Sequence, residues 1–502
     1  MLDQNFKRHV MKIRSRMVVM TMKSTRRAST TMILRMIVCV AFFMILHQIT
    51  SLFLIHLRSS SSSRISSTNI PEKLTSQLIT TNHLKAIRKQ SFQQQNRPRS
   101  TQPLINCDKT HKLHDICVLN MPTTLDPNTY TFYVFDPFSN PTFISKPEVH
   151  KIRPYPRKLD STAMSQVKEL TLITTSSTTK IHCQIQHQAP ALVFSAEGYT
   201  GNLSHDFNDG IIPLFVTIRS LFPDGDYPIL VVSTSNDWWF NKYAELLERF
   251  TLYPIIYLEN STETHCFPST TTIGLISHGF MTINSTLLPS SDGNFLGFRS
   301  LLGASYDGIT EHNWPIRKHR RKRPIVVLVG RMASAQVGRV ILNQADVEFL
   351  AKRVGFEVAV FEPNAFQSLS QAYELINKSH AMVGVHGAAL THSLFLRPGS
   401  VFIQVVPLGV DWLAETYYGN SAKEMRLEYM KYKIEAKESS LAEKYGKNHL
   451  ALKNPMVFMK NNWSIQRDVY LREQNVRIDL VRFGKYLKSA YKKAKHFMAE
   501  MG

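Results

Sequence analysis

Three short stretches of the chain gather side chains able to take up protons or hold anions. His386-Gly387-Ala388-Ala389-Leu390-Thr391-His392 sets two histidines around a run of small residues. Gly387 and the alanines let the backbone come close to a ligand, and the free amides of a helix starting there suit phosphate oxygens. His386 and His392 would add hydrogen bonds or positive charge. Arg331 and Arg339 are the second set, because a guanidinium stays charged and grips a diphosphate bidentately. Glu362 stands where it could hold a ribose hydroxyl. The third stretch, NLSHDFND at 202–209, brings together His205, Asp206 and Asp209. A general base that takes a hydroxyl's proton, facing groups that stabilise a departing diphosphate, is the equipment for moving a group from a nucleotide carrier to a hydroxyl. Asp206 or Asn208 is expected to cap the helix that follows, which leaves His205 and Asp209 as base candidates. Taken singly, each residue has a plainer explanation: a satisfied structural histidine, an arginine on a solvated loop, an acid at a helix start. There is no Walker A loop, zinc-finger spacing or His-Glu-x-x-His, so no metal ligands are assigned; a divalent ion carried by a diphosphate remains compatible.

Two blocks of alternating apolar and amphipathic segments must position these groups. In the first, ALVFS (191–195), ILVVS (229–233) and PIIYL (254–258) read as strands, with helices over 210–222 and 237–250. Pro213 is tolerable only in the first turn of its helix. In the second, strands are expected over 325–330, 356–361, 381–385 and 401–406, with helices over 343–354 and 366–377. This order predicts an α/β protein with two Rossmann-like, doubly wound halves, 105–315 and 316–502. Open parallel sheets bind ligands beyond the carboxyl ends of their strands, where 331, 362 and 386–392 all fall. Residues 105–188 read as β-rich and irregular, and 407–502 as mostly helical, with a basic amphipathic helix over 477–498.

The chain has 502 residues, 43% of them hydrophobic, and a formal net charge of +22. Much of that charge is local. Residues 1–35 carry nine lysines and arginines against one acid, Asp3. Residues 36–57 (MIVCVAFFMILHQITSLFLIHL) contain no Lys, Arg, Asp or Glu and as a helix would span a bilayer core of about 30 Å. The basic tail keeps 1–35 cytoplasmic and sends the remainder to the lumen. A single-pass signal anchor is preferred over a cleaved signal peptide, because the basic region is long and no small-x-small site follows the apolar run closely. Residues 58–104 are polar and serine-rich, the composition of a flexible stem. The basic run 317–323 reads as a solvated linker, and no nucleic-acid partner is expected. Beyond the anchor, Cys107, Cys117, Cys183 and Cys266 imply two disulfides in an oxidising compartment. Of three connectivities, Cys107–Cys117, which closes a short loop, together with Cys183–Cys266 is preferred. Sequons for N-glycosylation stand at Asn202, Asn260, Asn284, Asn377 and Asn462.

The segment 386–407 (HGAALTHSLFLRPGSVFIQVVP) resembles the signature of plant glycosyltransferase family 61, a group that includes xylan arabinosyltransferases and xylosyltransferases. YTGNLSHDFNDGIIPLF (199–215), the stretch 331–343, YMKYKIEAKESSLAEKY (429–445) and YLREQNVRIDLVRF (470–483) are similar to the family in the same order. The resemblance implies a GT-B fold, two Rossmann-like domains facing a cleft, and an inverting transfer. It implies a UDP-pentose donor (arabinofuranose or xylose), a xylan-type acceptor and a type II Golgi membrane setting. Arginine, helix-end amides and histidine would stabilise the departing UDP, so no metal cofactor is required. The His-x-Phe-x-Asp pattern of His205, Phe207 and Asp209 implies Asp209 as the base, assisted by His205. The family's His-Gly-Ala loop implies donor contacts from His386, Gly387 and Ala388. The sequence departs from the plant pattern at Ala389 (usually Gly), His392 (usually Asn) and Glu197 (often Gly), and lacks the acidic, glycine-rich continuation after Cys117. Two alternatives stay open: a xylosyl- or N-acetylglucosaminyltransferase acting on glycoproteins, and a non-catalytic carbohydrate-binding relative. A homo- or hetero-oligomer is compatible with either.

Overall fold

Strands that are apolar at nearly every position need cover on both faces, which a parallel sheet between helices provides. Ile325–Val329, Ala381–Val385 and Val401–Val406 are buried along their whole length. They form the centre of a five-stranded sheet in the order Glu357–Phe361, Ile325–Val329, Ala381–Val385, Val401–Val406, Glu428–Lys433, with every neighbouring pair parallel. Counted along the chain this order is 2-1-3-4-5, the doubly wound arrangement whose strand order reverses between the first and third strands. The computed structural model describes residues 103–135, 147–175, 181–222, 225–308, 323–331, 338–364 and 367–500. The expected cytoplasmic tail, anchor, nearly all of the stem and the basic linker up to 322 lie outside them. Among the described residues no helix is long and apolar enough to cross a membrane.

The first half holds two sheets. One has the order Ile105–Asp108, Ile116–Leu119, Thr271–Ile273, Ala191–Phe194, Ile229–Val232, Ile256–Tyr257. Its last four strands are mutually parallel and the first two join antiparallel. Here the strand order reverses between Ala191–Phe194 and Thr271–Ile273. The other sheet orders the region read only as irregular β: Val149–Ile152, Leu170–Thr175, Thr131–Phe135, Thr123–Asp126, His265–Phe267, Ile185–Gln186. Both expected disulfides are present. Cys107 and Cys117 face each other directly across antiparallel strands, and Cys183 joins Cys266 in the second sheet.

Two local features differ from expectation. The helix expected from residue 210 begins earlier: Leu203–His205 is α-helical, Asp206–Ile211 is a π-turn, and Ile212–Leu221 is α-helical again. Pro213 brings no N–H and its ring crowds the carbonyl four residues back, that of Asp209, so the turn before it widens. The cap is neither Asp206 nor Asn208 but Asn202, whose side chain accepts from the Ser204 N–H at 3.1 Å. The region 407–502, read as mostly helical, also contains the strand Glu428–Lys433, an edge strand with only one fully buried side chain. The C-terminal helix Leu480–Glu500 is present and turns Phe483, Leu487, Ala490, Ala494 and Phe497 inward.

The halves share one hydrophobic core. Phe207 and Phe298 of the first half meet Phe395 of the second, with Phe207 6.4 Å from both rings in edge arrangements. Arg299 on the helix Phe295–Tyr306 pins the contact. It donates to the Leu396 carbonyl at 3.0 Å, to the Tyr373 hydroxyl at 3.2 Å and to the Asn377 amide oxygen. All the described residues belong to one compact unit, Leu78–Gly502.

Candidate active site

The strand reversal of the second half lies between Ile325–Val329 and Ala381–Val385, and a crevice opens beyond the carboxyl ends at such a reversal. Gly330-Arg331 leaves the first of these strands and His386-Gly387 the second. Gly387 adopts φ +153°, and a Cβ there would collide with Arg331 Nη2 and stand 2.9 Å from Arg339 Nη1. Both guanidinium groups therefore press on the one residue that has no side chain. Arg339 itself takes φ +60°, a strained conformation for a non-glycine that commonly marks a functional position. Its Nη1 donates to the His386 carbonyl at 3.2 Å, while its Nε is buried without a partner. Burial pulls Arg331 below the ordinary guanidinium range; burial and the neighbouring Arg331 charge pull Arg339 down to about 9. Among the described residues no carboxylate forms an ion pair with either. Two adjacent, partly buried cations without a counter-charge are costly, and an oxyanion would relieve that cost.

His386 lies against this pair as a neutral ring. Burial first, then the charges of Arg339 and Arg331, push it down to about 3. Gln404, fully buried in the next strand, accepts a hydrogen bond from the Tyr429 hydroxyl on Oε1 at 2.7 Å and donates from Nε2 to His386 Nδ1 at 3.0 Å. That leaves the imidazole hydrogen on Nε2, a donor suited to an oxyanion. Residues Ala388–Phe395 wind as a 3-10 helix rather than the expected α-helix.

The second cluster surrounds Asp209. Its Oδ1 accepts from Arg157 Nε at 2.9 Å, and its Oδ2 from the Tyr155 hydroxyl at 3.1 Å and His205 Nδ1 at 2.9 Å. Asn208 Nδ2 donates to Oδ1 as well. Burial raises the Asp209 carboxyl, but the His205 hydrogen bond and the Arg157 charge outweigh it and hold the group below the ordinary carboxylate range. The Asp209 side chain is only 2% exposed, against 23% for His205. His205 Nδ1 stands between Asp209 Oδ2, which can only accept, and Arg157 Nη2, 3.0 Å away, which can only donate; when Nδ1 carries its hydrogen toward Asp209, Nε2 keeps its lone pair.

Two consecutive tyrosines tie the clusters into one site. Both belong to the π-turn Glu415–Gly419. The Tyr418 hydroxyl donates to the Gly387 carbonyl at 2.8 Å and lies beside Ser204, the residue before His205. Tyr417 meets Arg157, the partner of Asp209. Through these tyrosines His205 and Asp209 from the first half are linked to Arg331, Arg339, His386 and Gly387 from the second.

The remaining sequence candidates sit further out. Ala388 is partly exposed at the start of the 3-10 run, and exposed Glu362 lies beside Gly330 at the sheet end. His392 is turned inward. Its Nδ1 donates to the Ala389 carbonyl at 2.8 Å, its ring packs edge-on to Phe361 and Phe395, and burial pushes it down to about 4. Among the sequons, Asn202, Asn260 and Asn462 are exposed and Asn284 half-buried, whereas the Asn377 amide is engaged by Arg299. Among the described residues no group of three His, Cys, Asp or Glu side chains is placed to hold a metal ion. Sequence reasoning missed Tyr155, Arg157, Gln404, Tyr417 and Tyr418. Gln404 had a signal, a lone amide in an otherwise apolar strand. Arg157 lay in a proline-rich stretch with no periodicity to read.

Comparison with known proteins places these elements. The family model described as Glycosyltransferase 61 matches residues 299–403, which include the loop 386–392 and end one residue before Gln404. The chain is 37% identical over 403 residues to xylan glycosyltransferase MUCI21 of Arabidopsis thaliana, covering 78% of this chain and 80% of that protein. It is 36% identical over 335 residues to beta-1,2-xylosyltransferase XYXT1 of Oryza sativa subsp. japonica, covering 66% of this chain and 70% of the relative. With alpha-1,3-arabinosyltransferase XAT2 of the same rice it shares 31% identity over 378 residues, 75% of this chain and 62% of the relative.

Proposed function

The chain belongs to glycosyltransferase family 61, and on that premise we propose that it transfers a pentose from a UDP-sugar to a xylan-type polysaccharide with inversion at the anomeric carbon. The observation that carries the proposal is the pair of partly buried arginines at the strand reversal, without a carboxylate partner among the described residues, linked through consecutive tyrosines to a histidine–aspartate pair. The relatives' names, xylan glycosyltransferase, xylosyltransferase and arabinosyltransferase, support a pentose and a xylan-type acceptor.

In this mechanism the diphosphate of the donor lies against Arg331, Arg339 and the Nε2–H of His386, with Gly387 leaving room for the two guanidinium groups. Glu362, at the neighbouring strand end, is placed for the ribose. The acceptor hydroxyl attacks the anomeric carbon, its proton passes to His205 Nε2, and the bond to the β-phosphate breaks. The two guanidinium groups balance the charge that collects on the departing UDP. A single displacement needs one base and no protein nucleophile. His205 suits the base role better than Asp209, because both Asp209 oxygens are occupied and its carboxylate is held at low proton affinity. Asp209 then orients His205 and stabilises the imidazolium it becomes.

Two parallel-sheet halves contributing to one site support the GT-B arrangement, with the boundary in the basic segment near 310–324. The apolar run 36–57 behind a basic tail, the polar stretch 58–104 and two disulfides support a Golgi-anchored, type II topology with the transferase in the lumen. The test is UDP release from a panel of UDP-sugars with xylo-oligosaccharide present. Acceptor-dependent release from a UDP-pentose is expected. Failure of every UDP-sugar to be turned over, together with no thermal shift on adding UDP, would overturn the proposal.

A further inference from the structure

Resting on the transfer reaction proposed above, we infer that the wall around Arg157 is an acceptor subsite that stacks aromatic rings on successive sugars of an uncharged glycan chain. The parallel strands of the first half have their own order reversal, between Ala191–Phe194 and Thr271–Ile273, and so their own crevice beyond the strand ends. The loop leaving Ala191–Phe194 carries Tyr199 and leads to His205. The loop leaving Thr271–Ile273 carries Phe280. Tyr417 arrives from the other half. Phe280 and Tyr417 are 5.5 Å apart and tilted by 35°, the Arg157 guanidinium lies 5.1 Å from the Phe280 ring and 5.5 Å from that of Tyr199, and the Tyr199 ring is 4.8 Å from the His205 imidazole. All three rings remain partly exposed, so they are a lining and not core.

An uncharged sugar offers a flat C–H face to a ring and hydroxyls at its edge, so aromatic surface with a few polar groups is what recognises it. The lining continues outward. Two residues past Tyr199, Gly201 takes φ +107°, and the Trp238 ring lies 3.7 Å from where a Cβ would stand. Trp238 is 41% exposed. A ring on the first turn of the helix Asp237–Leu247, packed against that loop at Gly201, has no use for a single sugar beside Tyr199; it serves an acceptor that extends past the transfer point.

Phe280→Leu, which keeps apolar volume and loses the ring, and Trp238→Ala, at a partly exposed position, test this in the full chain. Acceptor KM is measured with xylo-oligosaccharides of increasing length and saturating UDP-pentose, and donor binding by the UDP-induced shift in Tm. Phe280→Leu is expected to raise acceptor KM about tenfold at every length, the scale of one lost stacking contact. For Trp238→Ala the rise in KM should grow with acceptor length. The UDP-induced shift should stay as in the wild type for both. Unchanged acceptor KM in both variants, with turnover intact, overturns the subsite and leaves the transferase proposal standing. Absence of turnover by the wild type with any UDP-pentose removes the proposal on which the subsite rests.

Discussion

Gln404 Nε2 points at His386 Nδ1 from 3.0 Å, and both side chains are buried. The amide therefore selects which imidazole nitrogen keeps its hydrogen. Replacing Gln404 with Leu removes the selection, whereas Glu reverses it: a carboxylate accepts from Nδ1–H and leaves a lone pair on Nε2 facing the donor's oxyanion. Donor KM should rise about tenfold or more for Gln404→Leu, from loss of a hydrogen bond to a charged group, and further for Gln404→Glu. Steady-state kinetics with varied donor checks the ranking; equal KM for the two variants would refute tautomer control.

Arg331 and Arg339 repel each other and have no counter-charge among the described residues. Arg331→Met should make the ligand-free protein more stable by about 1 kcal/mol, since it removes one of two adjacent, partly buried charges that repel each other. The same variant should lose most of the Tm increase that UDP gives the wild type. Thermal unfolding with and without UDP reads both effects, and a drop in ligand-free Tm would contradict the unpaired-charge account.

His205→Gln should lower kcat about 10²- to 10⁴-fold, the usual contribution of a positioned general base, while the UDP-induced thermal shift persists. Asp209→Asn should also lower kcat, but it leaves Arg157 with only the more distant Asp160 carboxylate, at 3.9 Å, and so also destabilises the fold by about 3 kcal/mol. Unfolding curves beside initial rates separate the two. Near-normal kcat in His205→Gln would return the base role to Asp209.

Four buried histidines make stability depend on pH. His114 and His386 are pushed down to about 3, and His265 and His392 to about 4, burial being the leading cause in each. The ordinary value is 6.5, so below it the unfolded chain binds protons that the native state does not. Their stabilising contribution is complete above about pH 6.5 and is lost as the pH falls toward 4, by up to roughly 1.4 kcal/mol per histidine per pH unit. The depressed Asp209 carboxyl loses its contribution only at still lower pH. Tm should fall steeply between pH 6.5 and pH 5; a flat profile there would show that these rings do not stay neutral.

Glycan occupancy should follow the environment of each sequon. A glycan on Asn377 would displace Arg299 from the contact between the halves, whereas Asn260 and Asn462 are free to carry one. Peptide mapping of protein from a secretory host should find Asn260 and Asn462 occupied and Asn377 bare.

Much of the fold was legible because its signals are local. Apolar runs such as 325–329 and 401–406 can only be covered strands, and their spacing implies crossovers. The loop 386–392 was legible as a ligand site because small residues at a strand end have a direct physical meaning. What escaped depends on contacts distant in sequence. Arg157 matters only because folding brings it to Asp209, 52 residues away, and Tyr418 only because it reaches Gly387. Glu428–Lys433 was hidden because an edge strand with charged positions carries no apolar signature. The inward turn of His392 could not be read either, since its partner is a backbone carbonyl.

The interlocked rings of Phe207, Phe298 and Phe395 have a kinetic corollary. Swinging the halves apart would unpack these rings, at about 3–5 kcal/mol for a phenyl deprived of its neighbours, and would strip Arg299 of its three acceptors. On the proposed reaction, spent nucleotide would then exchange for fresh donor by small displacements of segments at the rim, with the spacing between leaving group and attacking hydroxyl preset before either substrate arrives.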